Sequence, residues 1–584
     1  MGTLRLSGSL PGRALPTQPR AAPLRGARIG RGEMAVDTMR KTSSLTVTRA
    51  RWATRTLAGG ALVALFAGAS LTGCAVSETD VKRWEGTERG PHKLVAVMSH
   101  QKYRSDLRVE AALTLVRMRP RGGKKVGYTM LLDKYKDEEG VQREGALKAL
   151  SEEQRRLIVN GMAPILIKEM AAPPPPRTPE GRLPEDFSIP YKDAAFAMLS
   201  NEPTSLVSDE ATRKELTEAL IKWVQLGFED RLENSSQQFS VEQMMRYLGP
   251  SSVRVLPSLI TEKANRLDRI AGLVNELGEP ETKLKASQAL VDLAKTLVSP
   301  TWTTTQTQVV QDFNKKNNVN ANASQLQQQV EKMLDRRLTE EVFVAMKKVG
   351  GRPAIDFLLD FANDGKQKED RRKLALAALE GRMDKTNAKD LERVFAVAKG
   401  DDTPDAVRDQ GFRRLGEFPK EQIVPLLNTL FGAKVEPKKW KVRWVAASMV
   451  LKTLNAKQVG ADFMAKMPTS EKSKMGMTEP LDYGQTILKL DGDGKAVIRE
   501  FLGSKVIGPK LVALGSFYEG KKADVPTIKS FENDTTKLPQ CEPSDECDWK
   551  CDVPKASNPK ENEPKELKTV GELVKFCIIP SMEK

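Results

Sequence analysis

The feature that most constrains this fold is a sequence pattern repeated at a nearly constant interval. Five segments contain an arginine, a small residue three positions later and an aliphatic residue four positions after that: Arg108/Ala111/Leu115, Arg143/Ala146/Leu150, Arg372/Ala375/Leu379, Arg408/Gly411/Leu415 and Arg443/Ala446/Val450. The arginines are 35 residues apart in the first pair, and 36 and 35 apart in the last three. These positions share one face of an α-helix, so the pattern predicts helices in which the small residue lets a neighbouring helix come close.

A second apolar stretch precedes each of these arginines, for example residues 94–98 before Arg108 and residues 394–398 before Arg408. The repeating unit is therefore a pair of antiparallel helices joined by turns. One such pair cannot bury its own apolar face, so successive pairs must stack. The sequence predicts an all-α fold, an α-solenoid of stacked antiparallel helix pairs.

The repeat resembles a known class of helical unit. Its length, an aspartate near the start of the second helix (Asp106) and the sequence Ala406-Val407-Arg408 are similar to HEAT and HEAT-like repeats. The resemblance covers residues 88–165 and 340–515, and residues 241–300 more loosely. In such families Asp and Arg side chains form ladders between neighbouring repeats, so the resemblance implies that the repeated arginines are structural.

Composition divides the chain into seven parts. We expect a leader and signal peptide (1–73), a first helical array (74–170), a proline-rich spacer (171–190), a second helical segment (191–300), a polar insertion (301–335), the main array (336–530) and a cysteine-containing C-terminal cap (531–584). Prolines at 173–176 exclude a helix from the spacer. Residues 301–322 are dense in Thr, Gln and Asn, which predicts a flexible excursion or an exposed binding loop between helices.

An apolar run near the N-terminus ends in Leu71-Thr72-Gly73-Cys74. With its arginine-rich lead, this arrangement resembles a bacterial lipobox, where a signal peptide is cleaved and the cysteine is lipidated. The resemblance implies that Cys74 is the lipid attachment site. Residues 1–33 are rich in Arg, Pro and Gly and are interpreted as an untranslated leader or a disordered extension, and Met34 and Met39 would each begin a normal signal peptide. A run of 15 residues (57–71) is too short for the ~20 that cross a bilayer. A plain secretory signal and an uncleaved anchor helix are the alternatives.

The residues after Cys74 indicate which membrane the lipid anchor would enter. Ala75 and Val76 follow it, with no aspartate directly after the cysteine. By resemblance to lipoprotein sorting signals, this favours the outer membrane over the inner one. Whether the chain faces the periplasm or the outside stays open.

Most of the positive charge lies in the segment expected to be removed. Residues 1–73 contain 11 basic and 2 acidic residues, a net charge of +9 out of +16 for the whole chain. About +7 is left on the 511 residues from Cys74 onward. A nucleic-acid-binding surface would keep its charge in the mature chain. We therefore expect no nucleic-acid partner, and membrane contact only through the lipid.

The other four cysteines, Cys541, Cys547, Cys551 and Cys577, lie within the last 44 residues. An even number confined to one segment of an exported chain predicts two disulfides, with three possible pairings. Such a tail would cap the exposed apolar end of the solenoid. A zinc site is the alternative, although no Cys-x-x-Cys pair and no nearby histidine support it; free thiols are a third possibility.

The sequence contains little that indicates catalysis. His92 and His100 have no third ligand nearby in sequence, and Asp491-Gly492-Asp493-Gly494 lacks the glutamate of a calcium loop, so we interpret it as a turn. Neither a Gly-x-Ser-x-Gly motif nor a phosphate loop is present. We predict no catalytic residue, no metal and no cofactor, and expect that the chain is not an enzyme.

Three functions are consistent with these features. The first is a lipid-anchored envelope scaffold that binds an unidentified protein along its solenoid surface. The second is an enzyme whose active site is assembled from residues far apart in sequence. The third is a component of an envelope complex that binds cell wall or polysaccharide. Trp440 and Trp444, four residues apart on one helix, are the candidates for sugar stacking, and core packing is the other interpretation of this pair.

Overall fold

A computed structural model describes residues 76–584 except 138, 432–439, 468, 470–473, 491, 540–548, 558–560 and 584; for Trp440 and Ala461 it describes the backbone alone. Cys74, Cys541, Cys547 and Asp491, for which the sequence makes predictions, lie outside the described residues. The described part contains 28 α-helices and four short strands. None of the helices in this part is both long enough and apolar enough to cross a membrane.

The first third of the array begins two residues after Val76, where Ser77 caps the first helix and Asp80 completes a capping box. The second helix packs against the third, and the third packs against the sixth. The elements are α1 (Glu78–Trp84), α2 (Gly90–Ser99), α3 (Ser105–Arg117), α4 (Val126–Leu132), β1 (Tyr135–Lys136), β2 (Gln142–Arg143), α5 (Ala146–Ala149), α6 (Glu152–Met170) and α7 (Ile189–Leu199).

The middle of the array contains its longest helix, followed by several shorter pairs. Its elements are α8 (Glu210–Glu233), α9 (Val241–Leu248), α10 (Pro250–Val253), α11 (Leu267–Leu277), α12 (Pro280–Leu297), α13 (Pro300–Lys316) and α14 (Ala323–Asp335). A π-helical segment, Arg336–Val342, continues α14 into the next helix.

The remaining helices show the stacking that the repeat predicts. They are α15 (Phe343–Val349), α16 (Arg352–Asn363), α17 (Glu369–Ala378), α18 (Ala388–Lys399), α19 (Asp405–Leu415), α20 (Lys420–Leu427), α21 (Trp440–Leu451), α22 (Ala456–Gln458), α23 (Thr478–Ile487), α24 (Gly494–Leu502), α25 (Ile507–Gly515) and α26 (Val525–Lys529). Helix α16 pairs with α17 and α18 with α19, while α16 also packs on α18 and α17 on α19. This part of the chain is therefore an α-solenoid.

Small residues bring paired helices close together. Ala111, Ala375 and Ala446 are fully buried. A methyl group added to Gly411 on α19 would lie 3.2 Å from the backbone nitrogen of Ala398 on α18. The approach is closer still at Gly484 on α23, where an added methyl would lie 2.5 Å from the carbonyl oxygen of Val512 on α25. A larger side chain at Gly484 would have to push the helices apart.

Several ion pairs join residues that are one repeat apart. Arg371 pairs with Asp335, Lys441 with Asp405, Arg443 with Glu479, and Arg254 with Glu218, and each pair is separated by 36 residues. These pairs tie equivalent positions of successive units. They correspond to the ladders that the repeat resemblance implies, although among the contacts of the described residues Arg443 alone of the five pattern arginines takes part.

Two sequence expectations are corrected. Arg143 lies on strand β2, not on a helix, and its side chain is exposed beside Asp137. The carboxylate of Asp137 accepts hydrogen bonds from the amides of Glu139 and Val141, and Gly140 has a positive φ of 80°. This turn holds β1 against β2 as a hairpin, so helix formation starts only at Ala146.

The second correction concerns residues 301–322, predicted as a flexible excursion or loop. Most of them form α13, because Ser299 caps the helix and Pro300 occupies its first position. The hydroxyls of Thr304, Thr305 and Thr307 donate to carbonyl groups four residues earlier, which satisfies these polar side chains within the helix. Composition rich in Thr, Gln and Asn was therefore a poor guide here.

The C-terminal tail folds back on the array. Strands β3 (Lys550–Pro554) and β4 (Asn562–Glu566) form an antiparallel hairpin, followed by α27 (Val570–Leu573), the π-helical segment Val574–Ile578 and α28 (Ile579–Glu583). A disulfide joins Cys551 to Cys577, with the two Cα atoms 5.8 Å apart. The buried indole of Trp549 donates a 2.9 Å hydrogen bond to the carbonyl of Met475. These contacts fasten the tail.

A candidate protein-binding groove

Helix α8 forms one wall of an open groove. The carboxylate of Asp209 caps it by accepting a 2.8 Å hydrogen bond from the amide of Thr212, and the bonds with Thr212 lower the pKa of Asp209. One face of α8 is apolar and buried, with Leu216, Leu220 and Trp223 in the core. The opposite face is therefore available to a ligand.

The groove has a volume of about 780 Å³. Ile167 of α6 and Val255, which follows α10, contribute apolar side chains to its lining. The α8 side consists of Ala211, Lys214, Glu215, Glu218, Ala219, Ile221, Lys222 and Gln225. These positions recur every three or four residues, so they share a face of the helix. On this face the charged and polar side chains lie in the middle, and Ala219 and Ile221 lie at the edges.

The charges of the groove are only partly satisfied within the chain. Arg254 forms an ion pair with Glu218 across the groove. Within the described part of the chain, neither Lys214 nor Lys222 forms an ion pair. The two lysines are eight residues apart on α8, which corresponds to about 12 Å along a helix. The groove therefore presents two ammonium groups without ion-pair partners, together with apolar side chains.

The proline-rich segment before α7 holds the far end of α8. Gly227 interrupts the helical φ/ψ of α8, and a methyl group added there would lie 2.5 Å from Cγ of Pro174. Residues 171–188 contain no helix, as the prolines predict, but they pack against α8. Only a glycine admits this close contact, so the segment is part of the core packing that positions α8.

A buried arginine completes this attachment. The side chain of Arg231 is 1% exposed and donates to Asp186 over 3.1 Å and to the carbonyl of Ala172 over 2.9 Å. It also stacks on the indole of Trp223, 4.1 Å from the ring centroid, and that indole donates to Ser188. One side chain thus joins both ends of the proline-rich segment to α8.

A second buried cation lies next to this cluster. Lys192 of α7 is fully buried and forms an ion pair with Asp193 at 2.7 Å, and it donates to the carbonyl of Phe239. Burial lowers the pKa of Lys192, which the neighbouring carboxylate of Asp193 partly offsets. Asp193 also accepts from Lys125. Because every charge has a partner, we interpret the cluster as structural.

Sequence reasoning did not identify these buried groups. The signal was present for Lys192 and Asp193, since they are the only charged residues of an otherwise apolar helix, Ile189–Leu199. Arg231 and Asp186 gave no comparable signal, because each lies in a strongly polar stretch and they are 45 residues apart. The groove itself was also not predicted, since its walls come from three separate helical elements.

The pattern arginines line no part of the groove. The buried guanidinium groups of Arg108 and Arg372 donate to the carbonyls of Met98 and Ala362, ten residues earlier in each case. Arg408 donates to the carbonyls of Gly400 and Thr403 and pairs with Asp405. In these three units the arginine binds the end of the preceding helix of its own pair, where carbonyl groups lack partners.

The fourth helical pattern arginine has a different partner. Arg443 forms a buried bidentate pair with Glu479 of the next unit. The same glutamate accepts a 3.3 Å hydrogen bond from Tyr483. Arg443 therefore joins two repeats, whereas the other three stabilise one.

The remaining predicted residues occupy separate places. His92 lies on α2 with its ring edge towards Tyr135, and His100 ends that helix. Asp493 caps α24 by accepting from the amide of Ala496, which agrees with a turn. The indole of Trp444 is half-buried and donates to Asp482. Among the residues that the structure describes, no group of three His, Cys, Asp or Glu residues is placed to hold a metal ion.

Comparison with known proteins adds little to this description. No protein-family model matches the sequence, and no curated protein matches it either. Among solved structures, the chain is similar to the RNA-binding domain of yeast Puf5p bound to AAT2 RNA, at 11% identity over 76% of this chain and 97% of that chain. The TM-score of this likeness is 0.20, and we base no functional statement on it.

Proposed function

We propose that this protein is a lipid-anchored scaffold of the bacterial envelope and that its groove binds an acidic, amphipathic segment of a partner protein. The observation that carries the proposal is the pair of lysines, Lys214 and Lys222, which line the groove together with apolar side chains and have no ion-pair partner in the described chain. A partner helix with carboxylates about two turns apart would reach both ammonium groups. Its apolar side would cover Ile167 and Val255.

The mixed lining of the groove also defines its selectivity. Apolar contact supplies affinity, while the lysines favour an acidic segment and disfavour a basic one. Glu215 would repel an acidic group, and Glu218 is offset by Arg254, so the partner's carboxylates must lie at the lysines and away from Glu215. This combination is typical of a surface that docks a helix.

The anchor is supported by the sequence around Cys74. Helix α1 begins at Glu78, four residues after that cysteine. Four extended residues span at most about 14 Å. If Cys74 is lipidated, the array is held close to the membrane surface, where its partner would also be expected.

The groove is tested by charge reversal. We expect that Lys214→Glu/Lys222→Glu reduces the recovery of one specific protein by at least tenfold when the tagged chain is purified from crosslinked envelopes and analysed by quantitative mass spectrometry. The control is Lys295→Glu/Lys389→Glu, which makes the same charge change at exposed lysines outside the groove. Equal recovery of every protein with both double variants would contradict the proposal.

The anchor is tested separately. Cys74→Ser should move the protein from the membrane fraction to the soluble fraction, because the proposed anchor is attached at this cysteine. Mass spectrometry of the native protein should also show a mature N-terminus at position 74 carrying acyl groups. Unchanged membrane retention of the variant, or a different N-terminus, would refute the lipid anchor while leaving the groove untouched.

A further inference from the structure

The hairpin of α13 and α14 differs in composition from the rest of the chain. Between Pro300 and Val330 only three residues are charged, Asp312, Lys315 and Lys316, although 29% of the whole chain is charged. Helix α13 packs mainly against α14 and touches α12. Up to Val330 the hairpin therefore presents polar and apolar side chains with little charge, while its charged end, Glu331 and Asp335, pairs with Arg371.

An apolar patch lies towards the end of α13. Val309 is 53% exposed, Phe313 is 64% exposed and Val319, in the loop that follows, is 49% exposed; we call these three residues the hairpin patch. Trp302, Val309 and Phe313 are seven and four residues apart and share one face of the helix. Trp302, near the start of α13, is buried. The same face of the helix is therefore buried at its start and exposed to solvent at Val309 and Phe313.

The end of α13 fixes the third member of the patch. Asn318 has a left-handed φ of 55°, and its amide donates to the carbonyl of Lys315 over 3.2 Å. The amide of Val319 donates to the carbonyl of Asn314 over 2.8 Å. These two bonds form a Schellman motif, which characteristically places the residue at the position of Val319 beside the one at Phe313. The backbone at the end of α13 therefore fixes the position of Val319 in the hairpin patch.

Charge favours a second copy of this chain as the partner. In a two-fold interface each patch meets itself, so any strong net charge would be repelled by its copy. The hairpin avoids this, since it has one acidic and two basic side chains close to Phe313. A two-fold axis near Phe313 would bring Asp312 of one copy to Lys315 or Lys316 of the other.

The size of the hairpin is also sufficient. Helix α13 has 17 residues, so it is about 25 Å long, and two adjacent helices are about 20 Å wide. One face of the hairpin thus offers roughly 500 Å², and two copies would bury about 1,000 Å² in total, the lower bound for a specific interface.

We propose that two copies of this protein associate through their α13–α14 hairpins, with the hairpin patch at the centre of the interface. The four helices would form a small bundle in which Val309, Phe313 and Val319 of each copy are buried. None of these residues lines the groove on α8. The dimer is therefore independent of partner binding, and it would place two grooves on one assembly.

Cysteine crosslinking tests this on the full-length chain. Phe313→Cys should yield a crosslinked dimer in intact envelopes with a short thiol-specific crosslinker, seen on a denaturing gel. Phe187→Cys is the matched control, because Phe187 is also 64% exposed but lies before α7. We expect at least tenfold more dimer for Phe313→Cys than for Phe187→Cys. Equal amounts would overturn the proposal.

Co-precipitation of two differently tagged full-length copies provides a second readout. Phe313→Lys in both copies should abolish co-precipitation, whereas Phe187→Lys and Lys214→Glu/Lys222→Glu should retain it. Far-ultraviolet circular dichroism of each variant checks that the helices persist. If Phe313→Lys leaves co-precipitation intact, or instead weakens binding to lipid vesicles while no dimer is found, the patch does not join two copies.

Discussion

Replacing Gly484 with alanine tests the close helix contact on which the stacking depends. An added methyl group would lie 2.5 Å from the carbonyl oxygen of Val512 and 2.8 Å from the carbonyl carbon of Gly515. Ordinary contacts are about 1 Å longer, and both atoms belong to backbone, so α25 must move. Overpacking of this kind costs about 1–3 kcal/mol. Alanine gains about 1 kcal/mol over glycine inside a helix, which offsets part of that loss.

Two further glycines make the test quantitative. Gly272 lies inside α11 with no atom within 4 Å of an added methyl, so Gly272→Ala should stabilise the protein by about 0.5–1 kcal/mol. Gly411→Ala should fall between the two, because its methyl would lie 3.2 Å from Ala398.

The assay is urea unfolding of residues 74–584 with Cys74→Ser, followed by circular dichroism. Gly272→Ala should be the most stable variant and Gly484→Ala the least, with a difference of about 1–3 kcal/mol. Equal stability of Gly484→Ala and Gly272→Ala would refute the close approach of α23 and α25.

Three other predictions concern the later part of the array. Burial, together with the carboxylate of Glu479, raises the pKa of Tyr483 well above its usual range. An unfolded tyrosine ionises near pH 10, so the folded state keeps a proton that the unfolded state loses, and the free energy of unfolding should fall above that pH by up to about 1.4 kcal/mol per pH unit. Tyr483→Phe should remove this part of the slope in alkaline urea titrations; an unchanged slope would contradict it. Arg443→Met should destabilise the protein by about 3–5 kcal/mol, because it leaves the buried Glu479 carboxylate without its cation, and Arg443→Met/Glu479→Met should recover most of that loss in the same assay. Cys551→Ser should lower stability by about 2–4 kcal/mol, since the disulfide with Cys577 closes a loop across 26 residues; thiol titration that finds both sulfurs reduced in the native protein would oppose this.

The repeat pattern predicted much of the fold because its signal is local. A small residue and an aliphatic residue on one helix face require a neighbouring helix, and Ala111, Ala375, Gly411 and Ala446 are all placed as that argument expects. The pattern failed at Arg143, where the turn around Gly140 decides the backbone. An arginine, a small residue and an aliphatic residue at helical spacing do not form a helix where the preceding residues form a β-turn.

The candidate groove could not be predicted from the sequence. The groove depends on how α6, α8 and the end of α10 meet, and no local pattern encodes that meeting. Its lysines are ordinary solvent-facing residues until the surrounding side chains leave them without partners. The unusual composition of residues 301–322 predicted a loop, whereas most of these residues form helix α13. Its low charge indicates a surface for contact, while capping by Ser299 makes it helical.

Site-specific photo-crosslinking tests the central claim, a protein partner in the groove, most directly. A photoreactive amino acid at Gln225, on the groove, should give a discrete crosslinked protein in living cells, whereas the same group at the exposed Gln288 of α12 should not. The Gln225 adduct should disappear when Lys214→Glu/Lys222→Glu is added. An adduct that forms equally at both positions, or persists after charge reversal, would contradict the account.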